Sequence, residues 1–361
     1  MVAMPRADEL EAWQIMSHIE RRKGEHLDIV LNRDVRPAAK TTGFEQVEFE
    51  HVALPELDLD AIDLGATLLG RRLKAPFLVS SMTGGPARAQ AINRTIAQAA
   101  GRAGVAFAVG SQRIALEGNG VAGFDRRLRD LAGPVPILAN IGAAQLAQWD
   151  GVAMARRAMD MIDADALIVH LNPLQEAVQA GGDRDWSGLS ARIEQLAHAF
   201  PGKIAVKEVG CGISGALARR LRDCGVTIID VAGAGGTSWA AVEAERAPTP
   251  QARAVAAAFR DWGVPTARAV EDVRSACPDA VVIASGGVRD GVDAAKAIAL
   301  GADLAGLAAG VLPAALEGPD ALAAHLGVLA AQLRIACFCT GSANLAALRR
   351  ARLVRPSGAA R

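Results

Sequence analysis

The sequence predicts an α/β chain folded as a (β/α)8 TIM barrel, with an N-terminal helical and β extension and C-terminal closing helices. Three observations carry that expectation. Short apolar runs with β character recur eight times from residue 76 onward. Ala-rich segments with helical periodicity separate them, and continuous apolar strands alternating with amphipathic helices make a parallel sheet covered by helices. Nearly every run is apolar until its last residues and then turns polar, as expected where a barrel collects its active groups at the C-terminal strand ends. A doubly wound open sheet would gather its polar ends at one crevice instead.

Residues 1–75 form the extension. In it 8–23 reads as a charged helix, and "FEQVEFEHVAL" (44–54) has some β character. The barrel spans 76–351. Its strands are "PFLVSS" (76–81), "VAFAVGS" (105–111), "PILANIG" (136–142), "ALIVHLN" (166–172), "KIAVKEVG" (203–210), "TIIDVAG" (227–233), "AVVIASGG" (280–287) and "LAGLAAG" (304–310). Residues 88–104 and 293–302 are typical of the intervening helices. The widest gap, 234–265, exceeds one crossover, and long excursions at barrel tops are often lids. Residues 319–351 read as closing helices and 352–361 as a disordered tail. No internal repeat shows beyond the βα period.

A chain of 361 residues with 51% hydrophobic content can bury a large core. Its formal net charge is zero, so no basic field argues for nucleic acid or an anionic membrane, and any anion site is local. The five cysteines lack metal-ligand spacing and read as reduced thiols of a cytoplasmic protein. The N-terminus has no apolar signal core, and Gly and charges break the long apolar runs, so no membrane span is expected.

Candidate chemistry sits at the strand ends. "SGGVRDG" (285–291) opens a helix at about Gly291, and "AAG" (308–310) ends the eighth strand beside it. Small residues and a helix N-terminus suit a phosphate there; tight turns needing Gly are the plainer explanation. "GAGGTSW" (233–239) is a second Gly-rich loop, for the same phosphate or a hinge. Lys207 ends an apolar strand, either as a snorkelling lysine or as a cation held against an electron-rich ring such as a reduced flavin. Glu208 alternates to the other face and reads as structural. Thr83, Ser111 and Asn140 are turn residues singly; together they suit the edge of a bound heterocycle. Arg22, Lys23 and His26 read as a solvated face or as an anion clamp. Gln175 and Glu176 follow Pro173. Glu176 suits Mg²⁺, and Asn172 as a helix cap is the bland alternative.

Taken together, "RRKGEHL", "KAPFLVSSMTGG", "VGSQR", "ANIGAAQL", "ADALIVHLNPLQEAVQ", "VKEVGCGIS", "DVAGAGGTSWAAVE", "GVPTARAV" and "VVIASGGVRDGVDAAKAIALGADL" resemble the type 2, FMN-dependent isopentenyl-diphosphate isomerases over roughly residues 21–312. The resemblance implies interconversion of isopentenyl and dimethylallyl diphosphate in isoprenoid biosynthesis, with FMN, Mg²⁺ and a reductant, usually NADPH. It implies that Ser81, Met82, Thr83, Ser111, Asn140, Lys207 and Thr237 line the flavin, and that Gly286, Gly287, Ala308 and Ala309 hold its phosphate. Arg22, Lys23, His26, Arg113 and His170 face the diphosphate, with Ser111 and Gln112 beside them. Gln175 faces the hydrocarbon end and Glu176 binds the metal. A homo-oligomer, commonly a tetramer or octamer, is also implied. The chain departs from the pattern at Ala309, where many members carry Arg.

The chemistry fits this inventory. Moving an unactivated double bond needs a strong acid, and Tyr is absent. The resemblance implies that reduced flavin supplies the acid–base step instead, with Lys207 favouring its anionic form. A 2-hydroxy-acid oxidase on the same barrel would want a His near the seventh strand end, where "ASGGVRDG" has none.

Overall fold

The computed structural model describes residues 22–81, 87–118 and 123–354. Met82, Thr83, most of the 8–23 helix and the tail beyond 354 lie outside the described residues. Eight parallel strands close a barrel: β1 Phe77–Val79, β2 Ala106–Ala108, β3 Ile137–Gly142, β4 Ala166–His170, β5 Ile204–Lys207, β6 Ile228–Asp230, β7 Val281–Ala284 and β8 Leu304–Leu307. Neighbours follow chain order, and β8 pairs with β1 to close the ring. Each strand falls inside one of the expected runs.

Period-two alternation divides the strand residues between two cores. Phe77, Val79, Phe107, Ile137, Ile141, Leu167 and Val206 pack outward under the helices. Leu78, Ala106, Leu138, Ile168, Ala205, Ile228, Ile283 and Leu304 fill the interior. The antiparallel hairpin Ala66–Leu68/Arg71–Leu73 adds Leu68 and Leu73 to that interior and plugs the N-terminal end. Each such leucine contributes roughly 2 kcal/mol by leaving water. The same alternation aims the polar strand ends. Ser80, Asn140, His170, Lys207, Asp230 and Ser285 each stand two residues beyond an interior apolar side chain, so they point into the barrel mouth.

Among the described residues the helix that carries the basic cluster runs over 22–32, continuing beyond the 23 expected as its end. Tertiary packing holds it: Leu27 is buried in the main core, and Val30 and Leu31 pack beside it. The 234–265 excursion contains the helices Trp239–Arg246, capped by Ser238 Oγ, and Pro250–Ala257, capped by Thr249 Oγ1. The first packs on the helix Pro173–Val178 and shares a small apolar cluster with Val30 and Val35. Helix Pro319–Cys339 packs on Ala87–Ala103 and Gly291–Ala299. It is long and apolar enough to cross a membrane by length and composition. Here it buries Leu322, Leu326, Leu329 and Leu333 against the barrel layer and leaves Val328 and Ile335 exposed. Strand Glu48–Phe49 pairs with Leu353–Val354, which ties the extension to the closing segment. All five cysteines are free.

The N-terminal rim does contain an internal repeat. Arg129 donates to the carbonyls of Gly133 and Val135 and to Asp165 Oδ2, which also accepts the Ile137 N–H. Four strands away, Arg274 donates to the carbonyls of Pro278 and Ala280 and to Asp303 Oδ2, which accepts the Val282 N–H. In both clamps the carbonyls lie four and six residues beyond the arginine and the N–H eight beyond. Each aspartate takes a second arginine on Oδ1: Arg71 at 2.5 Å on Asp165 and Arg349 at 2.6 Å on Asp303.

Candidate active site

A cavity of about 500 Å³ opens at the C-terminal ends of the strands. On one wall β4 ends at His170, and Pro173 starts a helix immediately after it. Asn172 stands at the N-cap, but its side chain makes no capping bond. Its Nδ2 instead donates to Gln175 Oε1 at 3.1 Å and to Glu176 Oε1 at 3.0 Å, so the capping explanation does not describe it. Glu176 is buried and also accepts from Gln179 Nε2 and the Asp183 N–H. Its Oε1 keeps a lone pair for a cation. Among the described residues no group of three or more His, Cys, Asp or Glu side chains could hold a metal. One carboxylate is enough for Mg²⁺ only where substrate oxygens and water complete the shell.

The basic cluster converges on this wall. Lys23 Nζ donates to the Ser111 carbonyl at 3.2 Å. Burial, then the charges of Arg22 and Arg113, pull the Lys23 pKa down to about 7. Arg22 Nε is buried without a partner, and its charge faces Glu176 and Glu243. Arg113 divides between Glu117 and Asp183, at 3.0 Å each. Lys23 and Arg22 are therefore not a solvated face. His170 Nδ1 lies 2.7 Å from Asn140 Oδ1. Burial, then Lys207 and Lys23, push its pKa down to about 3, so it serves this site as a neutral ring.

Glu243 was not picked out from the sequence. It is 3% exposed on the helix Trp239–Arg246, between Val242 and Ala244. It accepts from Gln175 Nε2 at 3.1 Å and Arg246 Nη1 at 2.8 Å, and lies 2.9 Å from His26 Nε2. Burial alone would raise this carboxyl; the His26 contact, Gln175 and Arg246 hold it below its usual value. Burial pushes His26 down in turn. Glu243 ends the stretch "DVAGAGGTSWAAVE" and reads there as a charged residue in an Ala-rich segment; the helix position over the mouth is tertiary.

The opposite wall is built from the remaining strand ends. Lys207 points inward and Nζ donates to the Glu208 carbonyl at 2.6 Å. Glu208 Oε2 accepts the N–H groups of Val209, Gly210 and Cys211, which makes it a loop anchor. Ser80 Oγ and Ser81 Oγ are buried without partners. Gly286 and Gly287 have φ of +101° and +77°. A Cβ at Gly286 would lie 2.1 Å from the Gly233 oxygen, and one at Gly287 would lie 2.6 Å from Thr42 Cγ2. Close packing of the two Gly-rich loops thus demands glycine on its own account. Thr237, Ala308, Ala309 and Gly310 line the cavity beside them.

Two expectations need correction. The N-terminus of helix Gly291–Ala299 is already satisfied: Asp290 Oδ1 accepts the Val292 and Asp293 N–H groups, and Gln332 Oε1 accepts that of Gly291. The 286–287 and 308–310 turns, not that helix end, line the cavity on this wall. Gln112, expected beside the substrate, is fully buried. Its Oε1 accepts the Asn140 N–H and its Nε2 donates to the Ala158 carbonyl, so it locks the β2 loop to β3. Ser285, not a histidine, follows the seventh strand in the cavity lining.

The fold and this two-walled mouth define a flavin-type barrel enzyme. The chain belongs to the FMN-dependent dehydrogenase family, whose model matches residues 17–117 and 175–355. The fold alone is shared with a mandelate oxidase variant solved with (S)-mandelic acid, at a TM-score of 0.64 and 19% identity, covering 94% of this chain and 98% of that one. Relatives described as isopentenyl-diphosphate delta-isomerase are far more similar. That of Stutzerimonas stutzeri is 62% identical, over 93% of this chain and 97% of its own length. That of Cronobacter sakazakii is 56% identical over the same shares. Within the FMN-dependent class, the chain is a member of the isopentenyl-diphosphate delta-isomerase family.

Proposed function

We propose that the two walls hold reduced FMN and an isopentenyl diphosphate molecule against each other, and that one allylic proton shift gives dimethylallyl diphosphate. The observation that carries this reading is the set of buried, unpaired polar atoms on both walls, Ser80 Oγ, Ser81 Oγ and Arg22 Nε, within one cavity. Buried polar groups are normally paired, and these are free to bond to a ligand. Ser81, Ser111, Asn140, Lys207 and Thr237 would hold the ring, with Met82 and Thr83 completing it. Gly286, Gly287, Ala308 and Ala309 would hold the phosphate through main-chain N–H groups, since no side-chain cation stands at Ala309. When bound, reduced FMN supplies the acid and base that this chain's side chains lack.

The chain's own residues bind and orient. Arg22, Lys23 and Arg113 neutralise the diphosphate. Glu176 would hold Mg²⁺ together with diphosphate oxygens and water. Gln175, fixed by Glu243 and Asn172, sets the alkene over the ring, and the helix Trp239–Arg246 shields it from water. NADPH is the proposed reductant, and exposed Val328 and Ile335 on helix Pro319–Cys339 are the proposed contact of a homo-oligomer.

The test is turnover of isopentenyl diphosphate by anaerobically reduced holoprotein with Mg²⁺ in D₂O, followed by NMR. Dimethylallyl diphosphate carrying deuterium is expected. A folded, flavin-loaded protein that forms none would refute the reading. Glu176→Ala should be partly rescued by added Mg²⁺ and Gln175→Ala should not; equal rescue contradicts the assignment.

A further inference from the structure

Lys207 and Asp230 stand directly opposite each other, in register, on β5 and β6. Both point inward, each two residues beyond an interior apolar residue, Ala205 and Ile228. Asp230 is 1% exposed and Lys207 7%, so water compensates neither charge. Ser285, just beyond β7, donates from Oγ to Asp230 Oδ1 at 2.5 Å. Asp230 Oδ2 is buried without a partner. Lys207 has three donors, and the Glu208 carbonyl takes one. The other titratable neighbours are committed elsewhere: Glu208 to its loop N–H groups, and His170, opposite Lys207 on β4, to Asn140 as a neutral ring. Lys207 lines the cavity, whereas Asp230 lies behind it.

We infer that Asp230 is a positioning residue, the internal counter-ion that keeps Lys207 an ammonium in the barrel mouth, and that Ser285 aims it. The inference rests on the flavin reading of this wall. Burial disfavours charge on Lys207 and on Asp230 alike, and each charge offsets the other's penalty. The pair adds no net charge, so an oxidised, neutral ring can bind. Its dipole presents the positive end to the cavity, where reduction would place negative charge. Without Asp230 less of that burial penalty is offset, so the lysine surrenders its proton more readily and the reduced ring loses its partner.

The experiment compares wild-type and Asp230→Asn holoenzyme by spectroelectrochemistry between pH 6 and 9. At neutral pH the variant should bind reduced FMN at least about tenfold more weakly relative to oxidised FMN, a downward shift of about 30 mV for two electrons. The shift should shrink as pH falls and Lys207 regains its proton. An unchanged potential overturns the inference. So does a raised one, which is what loss of a carboxylate beside a permanently charged lysine produces. If Asp230→Asn does not fold, Ser285→Ala should move the potential down by a smaller amount, and no shift there overturns it. If the wild-type protein takes up no flavin, it is the flavin reading that fails, and the apoproteins decide the counter-ion. A lysine with a depressed folded pKa binds fewer protons folded than unfolded, so stability rises with pH. Asp230→Asn apoprotein should gain stability more steeply than wild type from pH 7 to 9, and that extra slope should vanish when Lys207→Met is added. Parallel curves overturn the inference.

Discussion

At the N-terminal rim Asp165 and Asp303 each gather two arginines and a strand N–H. At the C-terminal mouth Ser80 Oγ, Ser81 Oγ and Arg22 Nε are buried with no hydrogen-bond partner. Both are ends of one closed eight-stranded barrel. The rim spends its polar groups on the fold, pinning β4 to β3 and β8 to β7. The mouth leaves these three atoms unpaired, and that cost is offset only when something binds. Stability and function are thus separated along the barrel axis.

The sharpest way to break this contrast is Asp165→Ala. Its side chain and that of Arg129 are only 13% and 15% exposed. Removing it should cost about 3 kcal/mol in urea unfolding, because charged partners are left behind. FMN affinity should stay within twofold of wild type; a large loss of affinity would show that the ends are not separable. Asp303→Ala, in the more exposed clamp, should cost about 2 kcal/mol through its lost charged hydrogen bonds. A similar or larger loss than at Asp165 would argue against burial as the deciding difference.

At the mouth, Lys23 titrates near pH 7. Its charged fraction falls as pH rises through that value, so the KM for a diphosphate substrate should climb roughly tenfold per pH unit above it until bound anion restores the proton. Lys23→Arg should flatten that rise, and an unaltered profile would remove Lys23 from the clamp. The smallest effect concerns the phosphate turn. Asp290→Ala should cost about 1 kcal/mol as a lost helix cap. FMN affinity should not change, since the phosphate reading uses residues 286–287 and 308–310.

The strands and most of the mouth were legible because a period-two pattern carries both. An interior Leu138 or Ile168 dictates that Asn140 or His170 points inward two residues on. Gln112 misled because a polar residue just past a strand end looks the same in sequence whether it faces the cavity or a neighbouring loop. Glu243 was missed because its helix reaches the mouth only through packing on the helices 22–32 and Pro173–Val178. The rim repeat was invisible because each arginine meets its aspartate 36 or 29 residues away, across a strand pairing.

Ser80→Ala tests the contrast most directly. Its Oγ is buried and unpaired, so the apoprotein should become more stable by up to about 1 kcal/mol when the group is removed. The added stability conferred by saturating FMN should shrink in the same unfolding experiment. An apoprotein that loses stability, or an undiminished FMN increment, would contradict the claim that the mouth holds its polar groups in reserve for a ligand.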